Sequence, residues 1–126
     1  MKRKLLSLLV MVATAHVSAQ VTDSMIAKDA TDTDSVLSWG MGTQGQRFST
    51  LTTINTKNVS KLAPVWSMSF GGEKQRGQES QPLVYKGKMF VTASYSRIFA
   101  IDVKTGEKVW KYEHRLPEGI MPCCDV

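Results

Sequence analysis

The chain has 126 residues, a formal net charge of +5, 42% hydrophobic residues and two cysteines. Lys2, Arg3 and Lys4 carry three of the positive charges, so removing them from +5 leaves only +2 for the rest. Because no later cluster of Lys and Arg with interleaved aromatic residues is present, the composition argues against a nucleic-acid partner.

Residues 1–19 have the pattern of a secretory signal peptide. The basic start is followed by an apolar run from Leu5 to Ala15 and then by small residues up to Ala19. This run is shorter than the roughly 20 apolar residues that cross a bilayer. We therefore expect export with cleavage after Ala19 and no membrane span afterwards; removing 19 of the 126 residues leaves 107.

Residues 20–37 are predicted to be a flexible lead-in to the folded part. Between Val21 and Ser35 the residues are mostly Asp, Ser and Thr, and few are apolar. Such a composition does not bury enough apolar surface to form a core of its own. One short helical turn is expected around residues 25–27.

Short apolar and β-branched runs separated by turn residues predict an all-β fold from residue 65 onward. The predicted strands are Val65–Phe70, Pro82–Tyr85, Met89–Ala93, Arg97–Asp102 and Lys108–Tyr112. Tight turns are predicted at 86–88 and 104–106. No amphipathic helix separates the runs, which argues against a parallel βαβ architecture.

A repeat is present in this layout, because Trp66 and Trp110 lie 44 residues apart and each opens a predicted strand after a polar turn. A period of about 40–50 residues with four short strands per unit is typical of a β-propeller blade. The first copy is imperfect. The second, "AIDVKTGEKVW" at residues 100–110, has the form A-x-D-x-x-T-G-x-x-x-W and resembles the tryptophan-docking motif of quinoprotein dehydrogenase propellers.

The residue types of this motif have a structural explanation. Asp102 and Thr105 can hydrogen-bond the backbone of the turn, and Gly106 can adopt a positive φ. Trp110 can pack between neighbouring blades. We assign the motif a structural role and no chemistry; its residues are Ala100, Asp102, Thr105, Gly106 and Trp110.

The chain contains fewer repeats than a stable propeller needs. The chain holds one full predicted blade and part of another, whereas about three repeats are usually needed for stable stacking. We expect the chain to be the front part of a longer protein, because it stops at Val126 without a turn, a cap or a polar tail. The alternative is oligomerisation by an unusual route.

Glu79 lies in a glycine-punctuated polar loop, "GGEKQRGQESQPLV" at residues 71–84. The ordinary interpretation is a solvated loop charge. A functional interpretation is favoured by its position before a strand and by neighbours that can hydrogen-bond, and Gly77 would let a ligand approach the backbone closely.

Cys123 and Cys124 are adjacent in the sequence. Their Cα atoms are about 3.8 Å apart across a trans peptide, which is below the usual disulfide range of about 4.4–6.8 Å. A bridge between them would therefore be strained. Two reduced thiols, two separate disulfide partners and half of a metal site remain the alternatives, although adjacent cysteines fit the usual C-x₂-C zinc spacing poorly.

Four segments together resemble the amino-terminal part of the quinoprotein alcohol dehydrogenases, nearest to the ethanol type. The segments are "INTKNVSKLAPVW", "GEKQRGQESQ", "VTASYSRIFAIDVKTGEKVW" and "HRLPEGIMPCCDV", and the likeness covers roughly Ser38–Val126. The resemblance implies an eight-bladed propeller with pyrroloquinoline quinone (PQQ) at its axis. This chain would supply the amino-terminal segment and roughly the first one to two blades.

The resemblance also implies roles for individual residues. Glu79 matches the glutamate that contacts PQQ in the family, and Cys123 and Cys124 match its vicinal disulfide, which stacks on the cofactor. The family's aspartate base and its calcium ligands lie further along than this chain extends. The resemblance therefore implies calcium or a lanthanide in the complete enzyme, but no catalytic or metal-binding residue here.

These implications lead to one main functional hypothesis and two alternatives. The main hypothesis is the front portion of a periplasmic enzyme that oxidises primary alcohols to aldehydes and passes electrons through PQQ to a cytochrome c, inactive by itself. One alternative is a non-catalytic propeller scaffold of the cell envelope. The other is a short PQQ carrier; a homo-oligomer is compatible with each.

Overall fold

The computed structural model describes residues 20–71, 79–115 and 117–119. It contains one α-helix, two short 3₁₀ helices and four β-strands: α1 Asp23–Lys28, the 3₁₀ helices Asp29–Thr31 and Val59–Lys61, and the strands β1 Leu83–Tyr85, β2 Lys88–Ala93, β3 Arg97–Asp102 and β4 Lys108–Glu113. The predicted signal peptide at 1–19, and Cys123 and Cys124, lie outside the described residues.

Helix α1 forms within the polar lead-in and contains the helical turn predicted there. The hydroxyl of Thr22 caps it by accepting a hydrogen bond from the backbone N–H of Met25, at 3.4 Å. Asp23 in the first turn and Lys28 in the last turn both complement the helix dipole. The 3₁₀ turn that follows begins with Asp29, which is fully buried.

The four strands form one antiparallel sheet in the order β1-β2-β3-β4. Each strand pairs with the next one in sequence, so the sheet is a meander built from short turns. Lys86 and Gly87 join β1 to β2 with φ angles of 48° and 70°. Two positive φ angles give a turn that matches the strand twist. A single sheet of four meandering strands has the composition of one propeller blade.

The segment Val65–Phe70, predicted as a strand, is not one in the described structure. Its side chains still alternate, because Trp66, Met68 and Phe70 pack against the core while the residues between them are exposed. The strand prediction is wrong because a strand also requires a hydrogen-bonding neighbour, and this segment belongs to no sheet among the described residues. The alternation therefore reflects packing of one side of an unpaired segment.

The core lies on one face of the sheet. Ala93, Phe99 and Ile101 form its buried centre, and Phe70 packs against Phe99 with ring centroids 5.1 Å apart. All six residues of β4 are exposed. Among the described residues, none of the helices has the length and apolar character of a membrane span.

Candidate functional site

Glu79 lies at a cavity of about 620 Å³ beside the start of β1. Its side chain is exposed, and none of the other described residues forms a hydrogen bond or an ion pair with its carboxylate. A carboxylate in this state can accept hydrogen bonds from a bound molecule. The residues that line the cavity are Val36, Trp39, Met41, Arg47, Glu79, Ser80, Gln81 and Pro82.

Gln81 attaches the segment that carries Glu79 to a turn about 40 residues earlier in the chain. Its Oε1 atom accepts a hydrogen bond from the backbone N–H of Gly40 at 3.0 Å. Its Nε2 atom donates to the carbonyl oxygen of Ser38 at 3.3 Å. One side chain thus pairs a backbone donor and a backbone acceptor of the same turn.

The turn itself is constrained by Gly40, which has a φ of 84°. A Cβ atom at this position would come within 2.7 Å of the Cα atom of Gly45, so no larger residue fits without a shift of the backbone. The carbonyl of Gly40 accepts a hydrogen bond from the N–H of Arg47 at 2.8 Å. The guanidinium of Arg47 then lies over the Trp39 ring, 4.3 Å from its centroid.

Asp29 holds the same turn from the other side. Its Oδ1 accepts from the N–H of Leu37 at 2.8 Å, and its Oδ2 accepts from the N–H and the hydroxyl of Ser38 at 2.9 and 2.6 Å. The Ser38 hydroxyl oxygen also accepts from the N–H of Gly42 at 2.8 Å. Three donors thus compensate a fully buried carboxylate without a cation among them.

Arg97, the first residue of β3, is a buried cation that binds backbone carbonyls. Its Nε donates to the carbonyl of Ser94 at 2.6 Å, and its two terminal nitrogens donate to those of Phe70 and Gly71 at 2.9 and 3.1 Å. The guanidinium therefore joins the β2–β3 hairpin to the segment before the sheet. This contact also fixes the chain just before the polar loop that leads to Glu79.

The turn of the docking motif, between β3 and β4, is ordered by Asp102. Its Oδ1 accepts hydrogen bonds from the N–H groups of Lys104 and Thr105 at 2.9 and 3.0 Å. These bonds, that from Thr105 above all, hold the pKa of the Asp102 carboxyl below its ordinary value. The Thr105 hydroxyl accepts from the N–H of Glu107 at 3.2 Å, and Gly106 has a φ of 73°.

A tryptophan packs on this turn, but it is the one from the preceding repeat. The indole N–H of Trp66 donates to the carbonyl of Val103 at 3.0 Å, and its ring lies against Gly106. Trp110, which belongs to the motif itself, is 43% exposed on β4, and its ring contacts Phe90 at a centroid distance of 6.0 Å. The turn of the motif thus contacts Trp66 from the preceding segment, whereas the motif's own Trp110 is partly exposed on β4.

The structure brings Glu79 together with Gln81 and the Ser38–Gly42 turn, and it groups the docking motif around Trp66. The cysteine pair lies outside the described residues, so its predicted disulfide and its contact with the cofactor stay predictions. Within those same residues no group of three or more His, Cys, Asp or Glu side chains could hold a metal ion.

Sequence reasoning missed the roles of Asp29, Arg97 and the Trp39–Arg47 pair. An arginine directly before four apolar residues of a predicted strand is a signal that could have revealed Arg97. Nothing marks Asp29 among several aspartates of the lead-in, because its burial depends on the distant residues that fold around it.

Comparison with known proteins places these features in context. A family model described as "Glucose/ethanol/alcohol dehydrogenase, beta-propeller domain", of the PQQ family, matches residues 37–122. The quinoprotein alcohol dehydrogenase PedE of Pseudomonas putida is 57% identical over 89% of this chain. The quinoprotein ethanol dehydrogenase of Pseudomonas aeruginosa is 57% identical over 90% of it.

A solved structure shows the same likeness at the level of the fold. The quinohemoprotein alcohol dehydrogenase of Comamonas testosteroni superimposes with a TM-score of 0.67 and 36% identity, covering 75% of this chain and 14% of its own. The chain spans 18% of the length of each of the two Pseudomonas relatives.

Proposed function

Because the chain belongs to the glucose/ethanol/alcohol dehydrogenase β-propeller family of PQQ proteins, we propose that it serves as the cofactor-contacting part of a PQQ-dependent alcohol dehydrogenase. The observation that carries this proposal is the family match over residues 37–122, which includes Glu79, the whole sheet and every cavity-lining residue except Val36. The 57% identity to two quinoprotein dehydrogenases over about nine tenths of the chain supports it.

The residues present suit a ligand of this chemistry. PQQ is a planar tricyclic quinone that carries a ring N–H donor and three carboxylates. The carboxylate of Glu79, which none of the other described residues binds, can accept a hydrogen bond from such a donor, and the cavity of about 620 Å³ has the size of ordinary small-molecule sites. By the family resemblance, a bridge between Cys123 and Cys124 would supply a flat surface for the rings.

In the proposed reaction the residues of this chain bind and orient the cofactor. PQQ, when bound, supplies the quinone that accepts two electrons from an alcohol. Glu79 fixes the cofactor edge as a hydrogen-bond acceptor, and the cysteine pair excludes water from one face of the rings. We assign no catalytic base and no calcium or lanthanide ligand to this chain, and propose that those groups come from other parts of the enzyme.

The substrates and partners follow from the relatives. Primary alcohols are the proposed substrates, because the relatives named above are alcohol and ethanol dehydrogenases. A cytochrome c is the proposed electron acceptor, since a further relative in Thauera butanivorans is named 1-butanol dehydrogenase (cytochrome c). Export by residues 1–19 would place the protein in the periplasm.

Cofactor binding tests the proposal most directly. The protein is expressed from its complete gene and freed of cofactor, and PQQ is titrated in while tryptophan fluorescence and cofactor absorbance are followed. We expect saturable binding at micromolar PQQ or below, together with alcohol-dependent reduction of an electron-accepting dye. A propeller scaffold would show neither.

A matched pair of variants tests the role of Glu79. Glu79→Gln keeps the size of the side chain and removes the charge, and we expect PQQ to bind about tenfold more weakly, because hydrogen bonds to charged groups are the strong ones. Glu107→Gln removes an exposed carboxylate from the β3–β4 turn and should leave PQQ affinity unchanged. Equal PQQ affinity in the two variants would remove Glu79 from the site.

A further inference from the structure

We propose that Gln81 is a positioning residue for Glu79, acting through its hydrogen bonds to the Ser38–Gly40 turn. The inference rests on the proposed function, in which Glu79 contacts the cofactor. Gln81 need not touch the cofactor itself. Its effect on binding comes from fixing the segment two residues away.

The first observation is that the segment from Glu79 to Val84 is attached to residues 36–40 at two points. At one end Val36 and Val84 exchange backbone hydrogen bonds of 2.9 and 2.8 Å, which extends the edge of the sheet by one bridge. At the other end the Gln81 amide makes its two bonds to the turn. Without the amide, β1 would stay paired with β2 and with Val36, but the residues just before β1 would lose their two bonds to the turn.

The second observation is that the turn is a fixed base. The backbones at Gly40 and Gly45 pack closely, because a Cβ atom at Gly40 would come within 2.7 Å of the Cα atom of Gly45, and Asp29 accepts hydrogen bonds from both the N–H and the hydroxyl of Ser38. The bonds of Gln81 can orient its segment only if the turn to which Gln81 binds is itself fixed. Asp29 and Gln81 therefore both bind the same turn, and their hydrogen bonds form one connected network next to the cavity.

The third observation is that Glu79 has no anchor of its own among the described residues, although both Glu79 and Gln81 line the same cavity. A carboxylate that a neighbouring group holds in place pays less ordering entropy when a ligand binds. At metal sites, residues that orient a ligand typically change metal affinity or activity about 10- to 100-fold when they are replaced, and we use this range as a guide. For an amide acting over two residues we expect the lower end of that range.

A double-mutant cycle on the protein expressed from its complete gene separates positioning from general support of the fold. Gln81→Met keeps the length of the side chain and removes both hydrogen bonds, and Gln46→Met is the control at an exposed glutamine in the neighbouring turn. PQQ affinity is measured for Gln81→Met, Glu79→Gln and the double variant. Thermal unfolding of the cofactor-free proteins is recorded alongside.

If Gln81 acts through Glu79, Gln81→Met weakens PQQ binding about tenfold, and adding it to Glu79→Gln causes little further loss. Gln46→Met should bind PQQ as the unmodified protein does. Losses that multiply in the double variant, or unchanged affinity in Gln81→Met, would overturn the inference while the role of Glu79 stands.

The two proposals fail in different ways. Full PQQ affinity in Glu79→Gln would remove Glu79 from the cofactor site, and the positioning role of Gln81 with it. If Gln81→Met does not fold, the same cycle is run with Gln81→Glu, which keeps the acceptor for Gly40 but loses the donor to Ser38. Losses that multiply with this variant overturn the inference, and losses that do not multiply support it.

Discussion

Trp66 lies against Gly106 so closely that a Cβ atom at position 106 would come within 2.6–2.8 Å of three atoms of the indole ring. The same indole donates a hydrogen bond to Val103. A residue from the segment before the sheet thus packs on the turn between its last two strands. The glycine is required twice, for its positive φ of 73° and for its lack of a side chain.

The first prediction concerns this contact. Gly106→Ala should lower the free energy of unfolding by about 2–4 kcal/mol, because it adds a steric clash to the cost of a positive φ. Gly87→Ala is the matched control, since Gly87 has a φ of 70° but nothing within 4 Å of the added atom. It should cost only about 1 kcal/mol. Urea unfolding measures both, and equal losses would contradict the steric explanation.

The second prediction concerns Arg97. Arg97→Met should lower the free energy of unfolding by about 2–4 kcal/mol, because three carbonyls lose a charged donor. The stability of Arg97→Lys should lie between those of the unmodified protein and Arg97→Met, since one ammonium cannot reproduce the several donors of a guanidinium. The control is Arg47→Met, which removes an exposed cation over Trp39 and should cost less than about 1 kcal/mol. Thermal unfolding that ranks Arg47→Met as the more damaging change would contradict this role.

The third prediction concerns the buried carboxylate of Asp29. Asp29→Asn replaces one oxygen with an N–H₂ group that faces the donors of Ser38 or Leu37, and we expect a loss of about 2–3 kcal/mol in the free energy of unfolding. Asp34→Asn changes an exposed aspartate of the same segment and should stay within about 0.5 kcal/mol. Chemical denaturation of the two variants at neutral pH is the measurement. An unchanged free energy of unfolding in Asp29→Asn would show that other contacts hold the segment.

The fourth prediction is a dependence on pH. The N–H groups of Thr105 and Lys104 lower the pKa of the Asp102 carboxyl. The ionised carboxylate therefore contributes to stability above the pKa that it has in the unfolded chain, and this contribution is lost as the pH falls through its pKa in the folded protein. The difference in unfolding free energy between the unmodified protein and Asp102→Asn should be constant above about pH 5 and shrink below about pH 4. Unfolding measured from pH 7 to pH 3 tests this. A difference that does not change with pH would contradict it.

The three strands from residue 88 onward were predicted within one or two residues because local signals define them. Alternating apolar residues lie within the strands themselves. The positive-φ turn at Lys86 and Gly87 lies between the paired strands β1 and β2, and the loop at Asp102 lies between the paired strands β3 and β4. Val65–Phe70 was predicted as a strand from its apolar and β-branched residues, but it belongs to no sheet among the described residues. A pattern of side chains reports which face is covered and says nothing of where the backbone finds a partner.

The candidate site was predictable only in part. Glu79 was singled out by its neighbours and by family resemblance, and the structure adds a cavity beside it. The roles of Gln81 and Asp29 depend on contacts across roughly 40 and 9 residues of chain. Such contacts have no local period, so a single sequence does not reveal them.

The packing of Trp66 on Gly106 also sets an order of events during synthesis. The two residues are 40 positions apart, and a ribosome that adds about 5–20 residues per second needs about 2–8 seconds to cover that distance. For that interval Trp66, Met68 and Phe70 have neither the turn nor the sheet face that later covers them. The nascent chain therefore carries these three apolar side chains uncovered for seconds before its first blade can close.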